Sequence, residues 1–364
     1  MTPLHGYQPT SDLSRATTIP STWYTDPSFL ALEQERVFWH TWQPVGHARD
    51  VAQPGQYFAC EITGEPVVIT RDSNGELHAL ANVCRHRASA IAEGKGSANV
   101  LRCPYHAWTY HLNGKLLGTP EFEGVNDWDR AAVCLPRYRV ETWGPFVFVN
   151  LDGHAPPLAE VMGTIPQQVE NVGCALAQLN FSYRRDYIIN CNWKVYVDNY
   201  LEGYHLPAAH PGLFRELDYA QYRVDTFRWY SSQYAPIRPA GPQDASKRQY
   251  TSDGADDALY FWIFPNFMLN VYPDNLSSNI ILPLGHDKTL TIFEWFTYPG
   301  AGEVKPETIA FSDEIQQEDI KICEAVQKGL ASRTYDKGRF SVKRENGVHH
   351  FHLLLAEAHA RLNS

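Results

Sequence analysis

The feature that most constrains this chain is a pair of mixed metal-ligand motifs, Cys84-x-His86 and Cys103-x-x-His106, with 16 residues between His86 and Cys103. Two thiolates and two imidazoles brought together suit zinc or an iron-sulfur centre, because both accept mixed sulfur and nitrogen donors. Structural zinc sites usually pair Cys with Cys inside each short motif, whereas each motif here supplies one Cys and one His. A zinc ribbon is therefore the weaker alternative. His111, close to the second motif, follows "AWTY" on an expected strand and is read as an ordinary exposed residue.

One Cys and one His from each motif is the division of a Rieske centre, in which one iron takes two thiolates and the other two neutral imidazoles. Cys84 and Cys103 would hold one iron, and His86 and His106 the other. Neutral imidazoles leave less negative charge on the cluster, which raises its potential to roughly -150 to +300 mV. The surrounding text reads as short antiparallel strands. From Gly55 to Val83, "TGEP" and "DSNGE" punctuate three runs of β-branched and aromatic residues, and "AWTYHLNGKLLG" and "YRVETWGPFVFVNLDG" continue the pattern. A Pro-containing seam, "DGHAPPLAEVMGTIP", marks a boundary near residue 155.

The second region is α+β, with helices expected at about 192–204, 306–330 and 346–362 and strands between Leu259 and Thr297. "PIRPAGPQDASKRQYTSDGADD", polar and rich in Pro, Gly and Asp, is expected to form a mobile loop beside an active site. In "NYLEGYHLPAAHPGLF", His205 and His210 are five apart, about 140° around an uninterrupted helix. Pro207 should end the helix at the preceding residue and let both rings meet one metal. A facial triad on Fe(II) needs a carboxylate besides two imidazoles, and leaves positions open for substrate and dioxygen. Asp319 is the candidate, since it falls on an apolar stripe of Ile315, Ile322, Val326 and Leu330. Glu318 shares a face with Glu314 and Lys321 and reads as solvated surface. A zinc protease is excluded because H-E-x-x-H is absent. Glu202, three residues before His205, can orient that imidazole, and Asp198 lies four residues further back on the same face.

"NVCRHRA" and "CPYHAWTY" resemble the two cluster loops of the Rieske non-heme iron oxygenases, in their catalytic α subunit, and "NWKVYVDNYLEGYH" and "EDIKICEAVQKGL" are similar to the family's mononuclear-iron segments. The likeness runs from about Tyr24 to Leu355. It implies an all-β Rieske domain at 40–155, and a helix-grip-like catalytic domain, with an antiparallel sheet and helices, built from 1–39 and 156–364. It also implies a homotrimer, in which Glu202 bridges a neighbouring subunit's cluster histidine to an iron histidine. The resemblance implies that O2 is the cosubstrate and that NAD(P)H supplies electrons through a separate flavin/iron-sulfur reductase or ferredoxin. Where the commonest family form has Gly, this chain has Ala88 and Ala107. Several stretches most resemble the choline-monooxygenase-like branch, which oxidises quaternary amines, although "NVYPDNLSSN" departs from that branch's usual form. The reaction expected is hydroxylation or oxidative demethylation of a small organic molecule. The alternatives are cis-dihydroxylation of an aromatic ring, or an electron-transfer protein whose second domain is an iron-free binding module.

The formal charge of -10, from 31 basic and 41 acidic residues, argues against nucleic acid or an anionic membrane as the main partner. Seven widely spaced cysteines do not form a disulfide framework, and most are expected to be reduced. With no signal-like start and no run of 18 apolar residues, a cytoplasmic protein is expected.

Overall fold

The computed structural model describes residues 6–238 and 257–360. Most of the stretch expected as a mobile loop, residues 239–256, lies outside the described residues. The chain divides into two compact units, Phe38–Pro156 and Met1–Val37 with Pro157–Ser364.

The smaller unit is all-β apart from single 3-10 turns. Its strands are β1 (Gln43–His47), β2 (Gln56–Ile62), β3 (Glu65–Arg71), β4 (Leu77–Ala81), β5 (Lys95–Ser97), β6 (Val100–Arg102), β7 (Thr109–His111), β8 (Leu116–Gly118), β9 (Arg137–Trp143) and β10 (Phe146–Asn150). One sheet runs β1-β10-β9-β4-β3-β2-β5, and a smaller one runs β6-β7-β8. The "TGEP" signal becomes the β2–β3 turn, where Thr63 and Gly64 both have positive φ, as a tight hairpin requires. Alternate residues such as Val67, Ile69, Val147 and Val149 fill one core. A second core gathers Val68, Leu80, Leu101, Trp108 and Tyr110 together with Cys84 and Cys103, so both cysteines are buried in it.

The larger unit carries an antiparallel sheet in the order β11-β17-β16-β15-β14-β13-β12. These strands are β11 (Asn180–Ile189), β12 (Arg223–Thr226), β13 (Tyr230–Pro236), β14 (Asp257–Ile263), β15 (Phe267–Val271), β16 (Asn275–Gly285) and β17 (Lys288–Thr297). Its helices are α1 (Thr22–Thr25), α2 (Pro27–Arg36), α3 (Leu158–Met162), α4 (Ile165–Asn171), α5 (Trp193–Tyr200), α6 (Leu206–Ala209), α7 (Pro211–Glu216), α8 (Pro306–Leu330) and α9 (Asn346–Ala360). Asn192 caps α5 by accepting the Lys194 N–H, and its own amide donates to the carbonyls of Tyr24 and His286. A buried ion pair, Lys194 Nζ to Glu33 Oε1 at 2.6 Å, ties α5 to α2. Trp193 Nε1 satisfies the second Glu33 oxygen at 2.7 Å, so neither charge is left without a partner.

Two expectations about helices need correcting. The helix expected at 192–204 ends at Tyr200, and Pro207 does not terminate it. Pro207 instead lies in the first turn of α6 and Pro211 in the first turn of α7, where a missing N–H costs nothing. The expected stripe on α8 is also rotated. Val326 is 44% exposed, and the buried positions are Thr308, Gln316, Cys323 and Leu330. No described helix is long and apolar enough to cross a membrane, and all seven cysteines are free.

Candidate metal centres

The two cluster loops are local copies of one another. Each Cys N–H donates to the carbonyl five residues on, Ser89 or Trp108, and each Cys carbonyl accepts from the N–H four residues on, Ala88 or Ala107. Closing such a turn drives the fourth residue left-handed, and Ala88 and Ala107 both have φ 58°. The His86 and His106 rings are 4.7 Å apart at 76°, and His86 stacks on Trp108. The N–H groups of Tyr105 and His106, with the neighbouring Cys84, outweigh burial and hold the Cys103 thiol below its ordinary range. Tyr110 accepts the Arg85 N–H at 3.0 Å and lies 3.4 Å from Cys84 Sγ. Burial, helped by Arg87 and His86, keeps His106 towards its neutral form. His86 Nδ1 is buried with no hydrogen-bond partner. A buried imidazole nitrogen without a partner, on one of two loops that each carry a buried thiol, suits a [2Fe-2S] cluster with mixed ligands, so the residues fit that group. His111 is exposed on β7.

In the larger unit, His205 before α6, His210 between α6 and α7, and Asp319 on α8 are three donors brought together. His205, His210 and Asp319 each place a ligand atom within 4.8 Å of the others. His210 Nε2 is 3.0 Å and His205 Nε2 4.0 Å from Asp319 Oδ1. Both Nδ1 atoms face carboxylates: Glu202 Oε1 lies 2.6 Å from that of His205, and Glu318 Oε2 2.6 Å from that of His210. A carboxylate at Nδ1 holds a proton there and turns the Nε2 lone pair inward. Asn199 Nδ2 holds Asp319 Oδ1 at 2.6 Å. Burial alone would lower the His210 pKa, but Asp319 and Glu318 raise it above the ordinary imidazole range. Two imidazoles with carboxylate support and one carboxylate are the donors of a facial ferrous site, so here too the residues fit the metal.

The reading of Glu318 as solvated surface is corrected by this contact, since its carboxylate turns to a histidine 108 positions away. Its signal in the sequence was only its place beside Asp319. Asp198 is not brought to this group. Its oxygens meet Tyr24 Oη at 2.6 Å and His352 Nε2 at 3.0 Å. His352 Nδ1 accepts the Ile19 N–H, which leaves the Nε2 proton for Asp198.

Beside the three donors opens a cavity of about 130 Å3. Its walls include Tyr272, Trp295 and Phe293, amides of Asn270, Asn275 and Gln316, and the carboxylates of Glu202 and Asp319. No lysine or arginine is among its described lining.

Comparison with known proteins agrees with this pair of sites. Residues 41–129 match the Rieske [2Fe-2S] domain, and residues 176–360 match the ring hydroxylating alpha subunit catalytic domain. The chain is 37% identical over 363 residues to the chloroplastic choline monooxygenase of Arabidopsis thaliana, covering 96% of this chain and 84% of that one. The chain belongs to the Rieske oxygenase α subunits. It is also 33% identical over 356 residues to the carnitine monooxygenase oxygenase subunit of Escherichia coli (strain K12), covering 94% of each. A quaternary ammonium Rieske monooxygenase solved with L-carnitine superposes with a TM-score of 0.81 at 29% identity, over 96% of this chain and 97% of that one. Naphthalene 1,2-dioxygenase from Rhodococcus sp. shares the fold, with a TM-score of 0.73 at 19% identity over 94% and 93% of the chains. As a Rieske non-heme iron oxygenase, this α subunit works with a [2Fe-2S] cluster, a mononuclear iron and dioxygen.

Proposed function

We propose that this α subunit hydroxylates a small quaternary ammonium compound at a carbon beside the nitrogen, by a monooxygenase reaction. The observation that carries the substrate class is the cavity lining, in which carboxylates and aromatic faces occur and no described lysine or arginine does. A cation over such rings gains about 0.5–2 kcal/mol, and the nearby acids add to that attraction. Relatives named for choline and carnitine support the same class.

His205, His210 and Asp319 would hold the ferrous ion, and Cys84, Cys103, His86 and His106 the cluster. When bound, the iron supplies dioxygen activation and the cluster supplies single electrons. The chain's own residues do the rest. Glu202 and Glu318 keep protons at the two Nδ1 atoms and fix the ring planes. Asn199 restrains the Asp319 carboxylate, and the aromatic walls seat the cation. The balance is one C–H bond, one O2, two electrons and two protons, giving one C–OH and one water. The electrons come from NAD(P)H through a flavin/iron-sulfur reductase or a ferredoxin. We further propose a homotrimer, in which Glu202 also lies on the path from a neighbouring subunit's cluster. A solved relative is described in terms of inter-subunit electron transfer. Free cysteines are in keeping with a reducing cytoplasmic setting.

The test is dioxygen uptake with a surrogate reductase, scored by product mass, on trimethylammonium compounds and on their neutral isosteres with carbon in place of nitrogen. Hydroxylation of the cation, at a kcat/KM roughly 3- to 30-fold above the isostere, is expected. Equal turnover of the isostere would overturn the reading. Gain of two oxygen atoms rather than one would instead indicate dihydroxylation.

A further inference from the structure

The turn "LEGYH", residues 201–205, carries Glu202 and His205 between α5 and α6. The Glu202 carboxylate folds back over its own chain. One oxygen accepts the backbone N–H groups of Tyr204 and His205, and the other meets His205 Nδ1 at 2.6 Å. Ordering each residue of such a turn costs about 1–2 kcal/mol, so contacts from outside must hold it.

Two glycines let those contacts come close. Gly203 does not have a positive φ, so its backbone does not demand glycine. Tyr222 does: a Cβ at Gly203 would lie 2.7 Å from two carbons of the Tyr222 ring. On the other flank Gly347, at the start of α9, lies against the Leu201 carbonyl, and a Cβ there would also meet Val224 at 3.2 Å. Tyr222 and Val224 are two apart at the edge of β12 and share a face, and the register with β13 sets Gln233 opposite Val224.

Tyr222 is itself fixed at every polar atom. Its hydroxyl donates to Gln233 Oε1, and Gln233 Nε2 donates at 2.8 Å to the carbonyl of Tyr200, the last residue of α5. Burial, with Glu202 nearby, raises the phenol well above its ordinary range, so the hydroxyl stays a donor. The Tyr222 N–H donates to the Tyr219 carbonyl, and its own carbonyl accepts from Arg344 at 3.1 Å. Contacts thus run from Tyr200 through Gln233 and Tyr222 to Gly203, enclosing Leu201 and Glu202.

We propose that Tyr222 is a positioning residue for the iron site: its ring, wedged against Gly203, sets the turn so that the Glu202 carboxylate meets His205 Nδ1. This rests on His205, His210 and Asp319 as the iron ligands and not on the substrate class. Without the ring the turn relaxes into the space left behind, and the carboxylate moves off Nδ1. His205 then loses the partner that turns its Nε2 lone pair towards the metal.

Iron retained after dialysis against a chelator reads this, with the cluster's visible absorbance as the check on assembly. No substrate is present, so the place of Tyr222 in the cavity wall does not enter. Tyr222→Leu should lower retention of the single iron about 10-fold. Tyr222→Phe, which keeps the ring, should lower it by less than about 3-fold. A cycle with Glu202→Ala decides the matter. A residue that acts through the carboxylate costs nothing further in the Glu202→Ala background, whereas a general loosening of the fold costs the same in both backgrounds. Equal costs overturn the proposal, and so does a Tyr222→Leu protein that keeps its iron. Gly203→Ala forces a methyl against the ring and should lower retention alike, so it carries the same cycle, with the same overturning result, should Tyr222→Leu fail to assemble. A wild type holding two irons rather than three sinks the iron-site reading itself, while three irons with additive variants sink only the role of Tyr222.

Discussion

Ala88 and Ala107 occupy left-handed backbone, at φ 58° each, in loops that hold the cluster motifs. A Cβ there costs about 1–2 kcal/mol, part of which is returned because Ala is less free than Gly when unfolded. Ala88→Gly and Ala107→Gly should therefore each stabilise the smaller unit by about 0.5–1 kcal/mol. Thermal loss of the cluster's visible absorbance measures this. Beside His205 and His210, the carboxylates of Glu202 and Glu318 sit 2.6 Å from the two Nδ1 atoms. Glu202→Gln and Glu318→Gln should each weaken iron binding by about 10- to 100-fold, read as iron retained after dialysis against a chelator. His205, His210 and Glu202 were legible because their spacing is local. Glu318 was not, because its partner is 108 positions away in the chain.

Among the elements, α8 shows how a small rotation changes the meaning of a residue. Asp319 was chosen from a stripe that includes Val326, yet the buried positions are Gln316, Cys323 and Leu330. Asp319 lies on that rotated face too, three after Gln316 and four before Cys323, so it survives the correction while Glu318 changes character. α9 sets a different constraint. A Cβ at Gly347 would collide with the Leu201 carbonyl oxygen, next to Glu202. Gly347→Ala should cost about 1–3 kcal/mol in a denaturant melt, although Ala is the better helix former. Also on α9, burial, with Arg228 and His349 nearby, pushes His350 down to about 4. Its unfolded pKa is near 6.5, so the unfolded chain binds the extra proton first as pH falls. Stability should be full above about 6.5 and decline by up to roughly 3 kcal/mol as pH drops towards 4. Denaturant melts across that range measure it, and His350→Gln should flatten the slope.

For the whole molecule, both metal groups should load on one chain, giving about three irons, two with the cluster and one at His205, His210 and Asp319. Treatment with a chelator should remove the single iron first and stop dioxygen uptake while the cluster's colour persists. An iron-free second domain would hold only two from the outset. The sequence by itself determined the chemistry of the donors and the hairpins that carry them, because ligand type and turn geometry are set within a few residues. Tertiary structure alone decided which acids meet His205 and His210 and which do not, since Glu318 turns inward and Asp198 turns to Tyr24 and His352. Those outcomes depend on helix rotation and strand register summed over the whole core, which no local spacing encodes.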